Sequence, residues 1–303
     1  MGHSVLTSAP HALQPPLIPA GTAATDAALD AAGLTDIGHL RDRNEDAYLI
    51  GTLQRSILVH DGTVTTESWL TGASAGTLLV VADGMGGQGG GDIASSTAID
   101  AVARYLQSSL TWAPPTPAAG EQRDSLNGLR DQLFSAVLAG DDTVKTAGAK
   151  TGTPRMGTTL TMALLLWPTV YVAHVGDSRC YLLSGGKLRR LTTDHNLAER
   201  ADAASKYGHL PPEYLQSILW NTVGASDELP RPDLCKHELE LGDTLLLCSD
   251  GLNKHVTDEQ MQEVLAGGAT SRQCCARLVQ LALDDGGTDN VTVVVGQVKG
   301  APD

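Results

Sequence analysis

The chain predicts an α+β fold built in layers, on three observations. Short apolar runs of strand type and longer stretches with helical spacing arrive in blocks, in the order strands, two helices, strands, two helices, one last strand. Blocks of this kind favour layers over an alternating βαβ array. Two of the helical stretches open on a capping box, and Gly-rich turns separate the strands.

Residues 1–33 are rich in Ala, Pro, Ser and Thr with little periodicity, which predicts a flexible tail before a folded unit spanning 34–298, with a short tail at 299–303. Strands are expected at 34–39, 47–51, 55–59 and 78–82, with a hairpin turn or insertion over 62–76. After the glycines of 84–91, Ala94, Ala98, Val102 and Leu106 recur at helical spacing, and Asp92 sits in the first turn, where a carboxylate suits the dipole. The prolines of 113–117 end that helix. Leu126, Leu129, Leu133 and Val137 mark a second one. Strands at 159–166, 169–174, 179–184 and 187–191 look like one antiparallel meander, its last turn being Ser184-Gly185-Gly186. The polar stretch 196–231 contains Pro211-Pro212 and no strand pattern, so it reads as an excursion beside the sheet. Thr257…Gln260 and Thr270…Gln273 start two helices ahead of the final strand at 291–298.

At 303 residues and a net charge of -14, with no basic segment, the chain is a poor candidate for nonspecific binding to nucleic acid or anionic lipid. Basic proteins and divalent cations are better matched partners. The five cysteines, at 180, 235, 248, 274 and 275, are odd in number and form no CxxC pair, which reads as reduced, mostly buried thiols of a cytosolic protein. No apolar stretch approaches the roughly 20 residues of a membrane span, and no charged segment precedes an apolar leader. The expectation is a cytoplasmic monomer, since no coiled coil or apolar edge is evident.

Five aspartates stand at the ends of apolar runs. Asp83 follows 78–82, Asp177 follows 171–176, Asp250 follows 244–249, Asp289 precedes 291–295 and Asp46 precedes 47–50. Unpaired carboxylates are too costly inside a sheet, whereas at strand ends they can converge on one rim with bound cations offsetting their repulsion. That pattern describes a metal-dependent hydrolase. All-oxygen ligation without a His or Cys cluster points to Mg²⁺ or Mn²⁺ over Zn²⁺.

The segments Arg41-Asp42-Arg43-Asn44-Glu45-Asp46, Asp83-Gly84-Met85-Gly86-Gly87, Met156-Gly157-Thr158-Thr159, Val175-Gly176-Asp177-Ser178-Arg179, Ser249-Asp250-Gly251 and Gly287-Thr288-Asp289-Asn290 occur in that order. The set resembles the metal-dependent protein serine/threonine phosphatases of type 2C, over almost the whole of 34–298. The resemblance implies a central antiparallel β-sandwich flanked by helix pairs, in four layers, and hydrolysis of phosphoserine and phosphothreonine at a two-metal centre. It further implies that Asp83 bridges both ions, that Asp46 and the Gly84 carbonyl complete one shell, and that Asp250 with Asp289 complete the other. Asp177 matches the position that joins Asp250 around a weaker third ion in bacterial relatives. Arg41 matches the arginine that grips phosphate, and a guanidinium fork suits two phosphoryl oxygens. Asp83 and Asp250 are thereby expected to serve catalysis together with Arg41, on phosphorylated proteins as substrates. The chain departs from animal members at Met85, where they carry a histidine proposed as general acid, and at Asn221-Thr222-Val223-Gly224, at the end of the excursion that corresponds to the family's flap. His39 and His195 read as structural hydrogen-bonding residues.

Two formal motif matches fail on context. Gly84 to Gly89 fits GxGxxG, but Asp83 before it would repel a pyrophosphate and no second strand with an acidic end follows. Gly72 to Gly76 fits GxSxG but precedes a strand, whereas a nucleophile elbow needs one before it. The alternative with substance is a catalytically inactive phosphoprotein-binding module of the same fold, against which the full set of aspartates argues.

Overall fold

Alternation inside each apolar run sets the layers. In the computed structural model, which describes residues 18–19, 27–58, 69–86, 90–109, 122–200, 202 and 206–300, strand β4 (Trp69–Met85) turns Leu78, Val80 and Ala82 to one side and Leu79 and Val81 to the other. The first set packs on helices α1 (Gly91–Ser109) and α2 (Gln122–Thr151) through Ala94, Ala98, Val102, Leu133 and Val137. The second set meets Leu245, Leu247 and Val294 of the opposite sheet. Both faces of the strand are buried, which is why the sequence shows a continuous apolar run there instead of a polar alternation.

One sheet has the order β1 (Ile18–Pro19), β2 (Ala27–Asp36), β12 (Val291–Gly300), β11 (Thr244–Cys248), β8 (Arg179–Ser184), β9 (Lys187–Arg190). The other runs β10 (Asp233–Glu238), β7 (Thr169–Val175), β6 (Leu160–Leu166), β4, β3 (Asp46–Leu58), with the two-residue β5 (Gly157–Thr158) paired to β4. Every pairing is antiparallel. The short α3 (Pro212–Gln216) lies in the excursion, and α4 (Asp250–Asn253) follows β11. Helices α5 (Asp258–Ala266) and α6 (Ser271–Asp284) cover the outer face of the first sheet, packing Met261, Leu265, Cys275 and Leu278 on Leu246, Val293 and Val295. The result is the expected antiparallel sandwich between two helix pairs. Both capping boxes are formed, at Thr257 with Gln260 and at Thr270 with Gln273, satisfying amide donors that a helix start leaves free.

The structure corrects several boundaries. Strand β2 begins at Ala27, inside the expected tail, because pairing with β12 from Asp36↔Val291 back to Ala27↔Gly300 holds an alanine-rich stretch of weak strand propensity. For the same reason 299–300 belong to β12. The strands expected at 47–51 and 55–59 are one strand, β3, with register shifts near Gln54. The expected hairpin or insertion at 62–76 lies outside the described residues up to 68, and from Trp69 onward it is strand. The proline break at 113–117 and residues 1–17 and 20–26 also lie outside them.

The expected single meander is divided. Strands β6 and β7 sit in one sheet and β8 and β9 in the other, and the chain crosses between sheets at Gly176-Asp177-Ser178. Gly176 has φ of +108°, and a side chain there would press on Thr159, so glycine permits the sharp exit. The crossing delivers Asp177 to the open end of the sandwich.

Candidate active site

Asp46 opens β3 and Asp83 closes the apolar stretch of β4, and the two are direct cross-strand partners. The main chain at Asp83 is clamped from the side: its N–H donates to Thr159 Oγ1 at 2.9 Å, and its carbonyl accepts from the Thr159 N–H and the Thr158 hydroxyl, each at 2.9 Å. This explains locally why the Gly157-Thr158-Thr159 segment accompanies the aspartates. Gly84 is buried, and a Cβ on it would collide with the carbonyls of Gly91 and, at 2.6 Å, of Glu45. Only glycine fits between those two strands of backbone.

Asp250 is the first residue of α4 and Asp289 stands two residues before β12. Ser249 occupies the N-cap of α4, yet its hydroxyl is turned away from the helix and donates to Asp46 Oδ2 at 2.6 Å while accepting from the Thr292 N–H at 2.9 Å. One buried serine thus ties the Asp46 carboxylate of one sheet to the β12 backbone of the other. Asn290 does similar work for the loop that carries Arg41: its side chain accepts from the Glu45 N–H at 2.8 Å and donates to the Ile37 and Arg43 carbonyls at 2.9 Å. Arg41 meets Asp289 in a two-pronged pair, Nη2 to Oδ2 and Nε to Oδ1, both at 2.8 Å.

A cleft of about 1330 Å³ opens at this end of the sandwich, lined by Arg41, Asp83, Gly84, Asp177, Asp250 and Asp289 among others, with Asp46 immediately behind it. The sequence-predicted site residues are therefore brought together, Asp46 as the partner of Asp83 in the wall. Met85 lines the cleft, and no histidine among the described residues does. His195 lies behind it, 3 % exposed, accepting at Nδ1 from the Gly176 N–H and the Asn221 amide and facing Asp233 through Nε2. It fastens the excursion to the Gly176 crossing, a structural role as expected. His39 caps the loop by its contact with the Leu283 carbonyl.

The electrostatics follow from crowding. Burial pushes the Asp83 carboxyl well above its ordinary range, and the charges of Asp46, Asp250, Asp177 and Asp289 push it further. Burial likewise pushes Asp46 up to about 7, against the hydrogen bonds from Ser249 and Thr292, and Asp177 up to about 8, with Asp250 adding to the effect. Asp289 moves the other way: burial alone would raise it, but Lys254 and Arg41 more than offset that and hold it low. Lys254, which the sequence reading did not single out, places its ammonium 2.6 Å from Asp250 Oδ2 and 2.9 Å from Asp289 Oδ2. The i, i+4 spacing from Asp250 brings it to the same side of the α4 turn.

Solved structures of serine/threonine phosphatases share this architecture. The serine/threonine phosphatase of S. agalactiae superposes with a TM-score of 0.68 at 27 % identity, covering 89 % of this chain and 99 % of that one. The catalytic domain of the serine/threonine protein phosphatase PstP, in complex with two manganese ions, superposes with a TM-score of 0.67 at 30 % identity, covering 90 % and 99 %. In sequence, the protein phosphatase PhpP of Streptococcus pneumoniae is 28 % identical over 86 % of this chain and 94 % of its own length. The serine/threonine protein phosphatase PstP of Mycobacterium tuberculosis is 33 % identical over 73 % of this chain and 40 % of its own. Residues 58–283 match the family model described as protein phosphatase 2C. The chain belongs to the protein phosphatase 2C family.

Proposed function

We propose that this protein removes phosphate from phosphoserine and phosphothreonine in proteins, and that Asp46, Asp83, the Gly84 carbonyl, Asp250 and Asp289 hold two divalent ions, Mn²⁺ or Mg²⁺, for the purpose. A weaker third ion would be shared by Asp177 and Asp250. The observation that carries the reading is a pair of orphaned oxygens: Asp46 Oδ1 and Asp250 Oδ1 are buried with no hydrogen-bond partner. Buried carboxylate oxygens are otherwise satisfied, and a hard cation is the natural partner for an all-oxygen set. Among the described residues no three such side chains already stand together as a group that could hold an ion. Arg41 and Lys254 engage Asp289 and Asp250.

Ions held by these residues would neutralise phosphoryl oxygens and lower the pKa of a coordinated water. The chain's own contribution is positioning. Arg41, with its side chain half exposed at the mouth of the cleft, can pass from Asp289 to two phosphoryl oxygens by the same fork geometry. Ser249 and Thr159 hold Asp46 and Asp83 in place, so little reorganisation is left for the reaction. Met85 has no proton to give to a leaving alkoxide. The same reading makes it a cytoplasmic monomer that opposes serine/threonine kinases in signalling; the free cysteines suit a reducing compartment, and no described helix is long and apolar enough to cross a membrane.

The test is hydrolysis of p-nitrophenyl phosphate and a phosphothreonine peptide after EDTA treatment, followed by return of Mn²⁺ or Mg²⁺. Turnover should vanish with EDTA, return with metal, and be absent in Asp250→Asn. Metal-saturated protein that binds the phosphopeptide without turning it over would instead support the binding-module reading.

A further inference from the structure

Lys254 sits on the two carboxylates assigned to one of the ions, and the fold puts it there. Its backbone N–H closes the α4 turn on the Asp250 carbonyl at 3.0 Å, so the side chain leaves the turn directly above Asp250. From that position the ammonium reaches Asp250 Oδ2 at 2.6 Å and Asp289 Oδ2 at 2.9 Å, bridging residues that lie far apart in sequence. Arg41 occupies Asp289 from its other side. An ammonium shared by two carboxylates supplies what a bound cation would supply there, charge compensation and a bridge. A lysine is suited to leave again, being a compact charge on a flexible stem, and with 44 % of its side chain exposed it has water to move into.

We propose that Lys254 is a built-in counter-ion that competes with the ion at Asp250 and Asp289, so that the two ions of the site bind with unequal affinity. The proposal rests on the two-ion reading above. Asp46, Asp83 and Gly84 face no such competitor: Ser249 contacts Asp46 as a neutral donor, and neither Lys254 nor Arg41 makes a hydrogen bond to Asp46 or Asp83 among the described residues. The first ion therefore displaces no tethered cation, and it relieves the repulsion between the carboxylates. The second must displace an ammonium from Asp250 and Asp289, two of its ligands, and the displaced charge remains tethered nearby. The enzyme would pass from one bound ion to two over a separate, higher range of metal concentration.

The experiment is calorimetric titration of Mn²⁺ into the metal-free full chain, with bound Mn²⁺ counted by electron paramagnetic resonance, for the wild type, Lys254→Met and Lys254→Arg. The wild type should show a tight and a weak site. Lys254→Met, which keeps the stem and removes the charge, should tighten the weak site by about tenfold or more and leave the tight site unchanged, whereas Lys254→Arg should keep the two unequal. In EDTA, Lys254→Met should melt below the wild type, and the difference should close in saturating Mn²⁺. An unchanged or weakened second site in Lys254→Met overturns the proposal while leaving two-ion binding intact. Failure of the wild type to take up any Mn²⁺ overturns the two-ion reading, and the proposal with it.

Discussion

Asp46 and Asp83 face each other directly across the β3–β4 ladder, two carboxylates at a cross-strand position where like charges destabilise. The fold tolerates this arrangement at a cost in stability, and the sign of the pH dependence follows. Asp83 has a folded-state pKa raised above its unfolded value by burial and by its acidic neighbours. Above the unfolded value the native state holds more protons than the unfolded one, so metal-free stability falls as pH rises. Asp83→Asn removes the burden. In EDTA at pH 8 it should melt a few degrees above the wild type, the size of about 1 kcal/mol in a chain of this length, with the gap narrowing toward pH 4. Activity with Mn²⁺ should be lost by on the order of 10²-fold or more. A variant that melts at or below the wild-type temperature in EDTA at pH 8 would refute this account of the pair.

Ser249 is the clearest case of a residue that acts through another. Its 2.6 Å hydrogen bond orients Asp46, and its acceptance of the Thr292 N–H joins that contact to β12. Ser249→Ala should weaken Mn²⁺ binding by roughly 10- to 100-fold, the usual effect of losing a group that orients a ligand. The kcat at saturating metal should change much less. If metal affinity is unchanged, Asp46 does not depend on the serine for its orientation.

The five aspartates were legible because each ends or starts a run of β-type residues, and strand ends are where a sheet can expose charge. The layers were legible too, since runs buried on both faces and paired helices leave few other arrangements. What escaped was set by tertiary pairing. Strand β10, with the sequence Asp-Leu-Cys-Lys-His-Glu, lies at an edge and is mostly solvated, so its charges hide it. The division of the meander at Asp177 could not be read, because periodicity within β7 and β8 says nothing about which sheet each joins. Lys254 looks in sequence like any solvated helix charge, and its meaning appears only once α4 sets it over Asp289. Asn290 stood in a quoted segment only beside Asp289, and the spacing gave no hint that three backbone groups of the Arg41 loop depend on it.

Arg41 pairs with Asp289 and lies at the mouth of the cleft. If its guanidinium serves to grip phosphate, Arg41→Ala should raise KM for a phosphopeptide by about tenfold, the value of one charge-assisted contact, with Mn²⁺ affinity far less affected. Steady-state kinetics with a phosphothreonine peptide decides the matter. Equal KM values in the two proteins would remove Arg41 from substrate binding.

Gly84 has no room for a side chain, since a Cβ would meet the backbone carbonyls of Gly91 and Glu45, neither of which is a flexible group that can yield. Gly84→Ala must therefore push α1 or the Glu45 segment away from β4. A loss of about 2 kcal/mol or more is expected from overpacking of this kind, seen as a lower urea midpoint with or without metal. An alanine variant as stable as the wild type would mean that the β4–α1 junction is looser than the close approach implies.

His174 provides a pH effect of the opposite sign, away from the carboxylates. It is 1 % exposed, with Nδ1 facing the Thr161 hydroxyl and Nε2 facing the Thr193 carbonyl. Burial, helped by the neighbouring His195, brings its pKa down to about 3. The unfolded chain takes up a proton below about pH 6.5 while the native state refuses one, so the stabilisation is complete above that value and drains away as pH falls toward 3. Between pH 7 and pH 5 this group alone should cost the wild type about 2 kcal/mol. In His174→Gln that component is missing, because the amide does not titrate. Urea unfolding of both proteins at pH 7 and pH 5 should thus show the wild type losing more stability on acidification than the variant does. Parallel losses in the two would mean that His174 can take up its proton without unfolding.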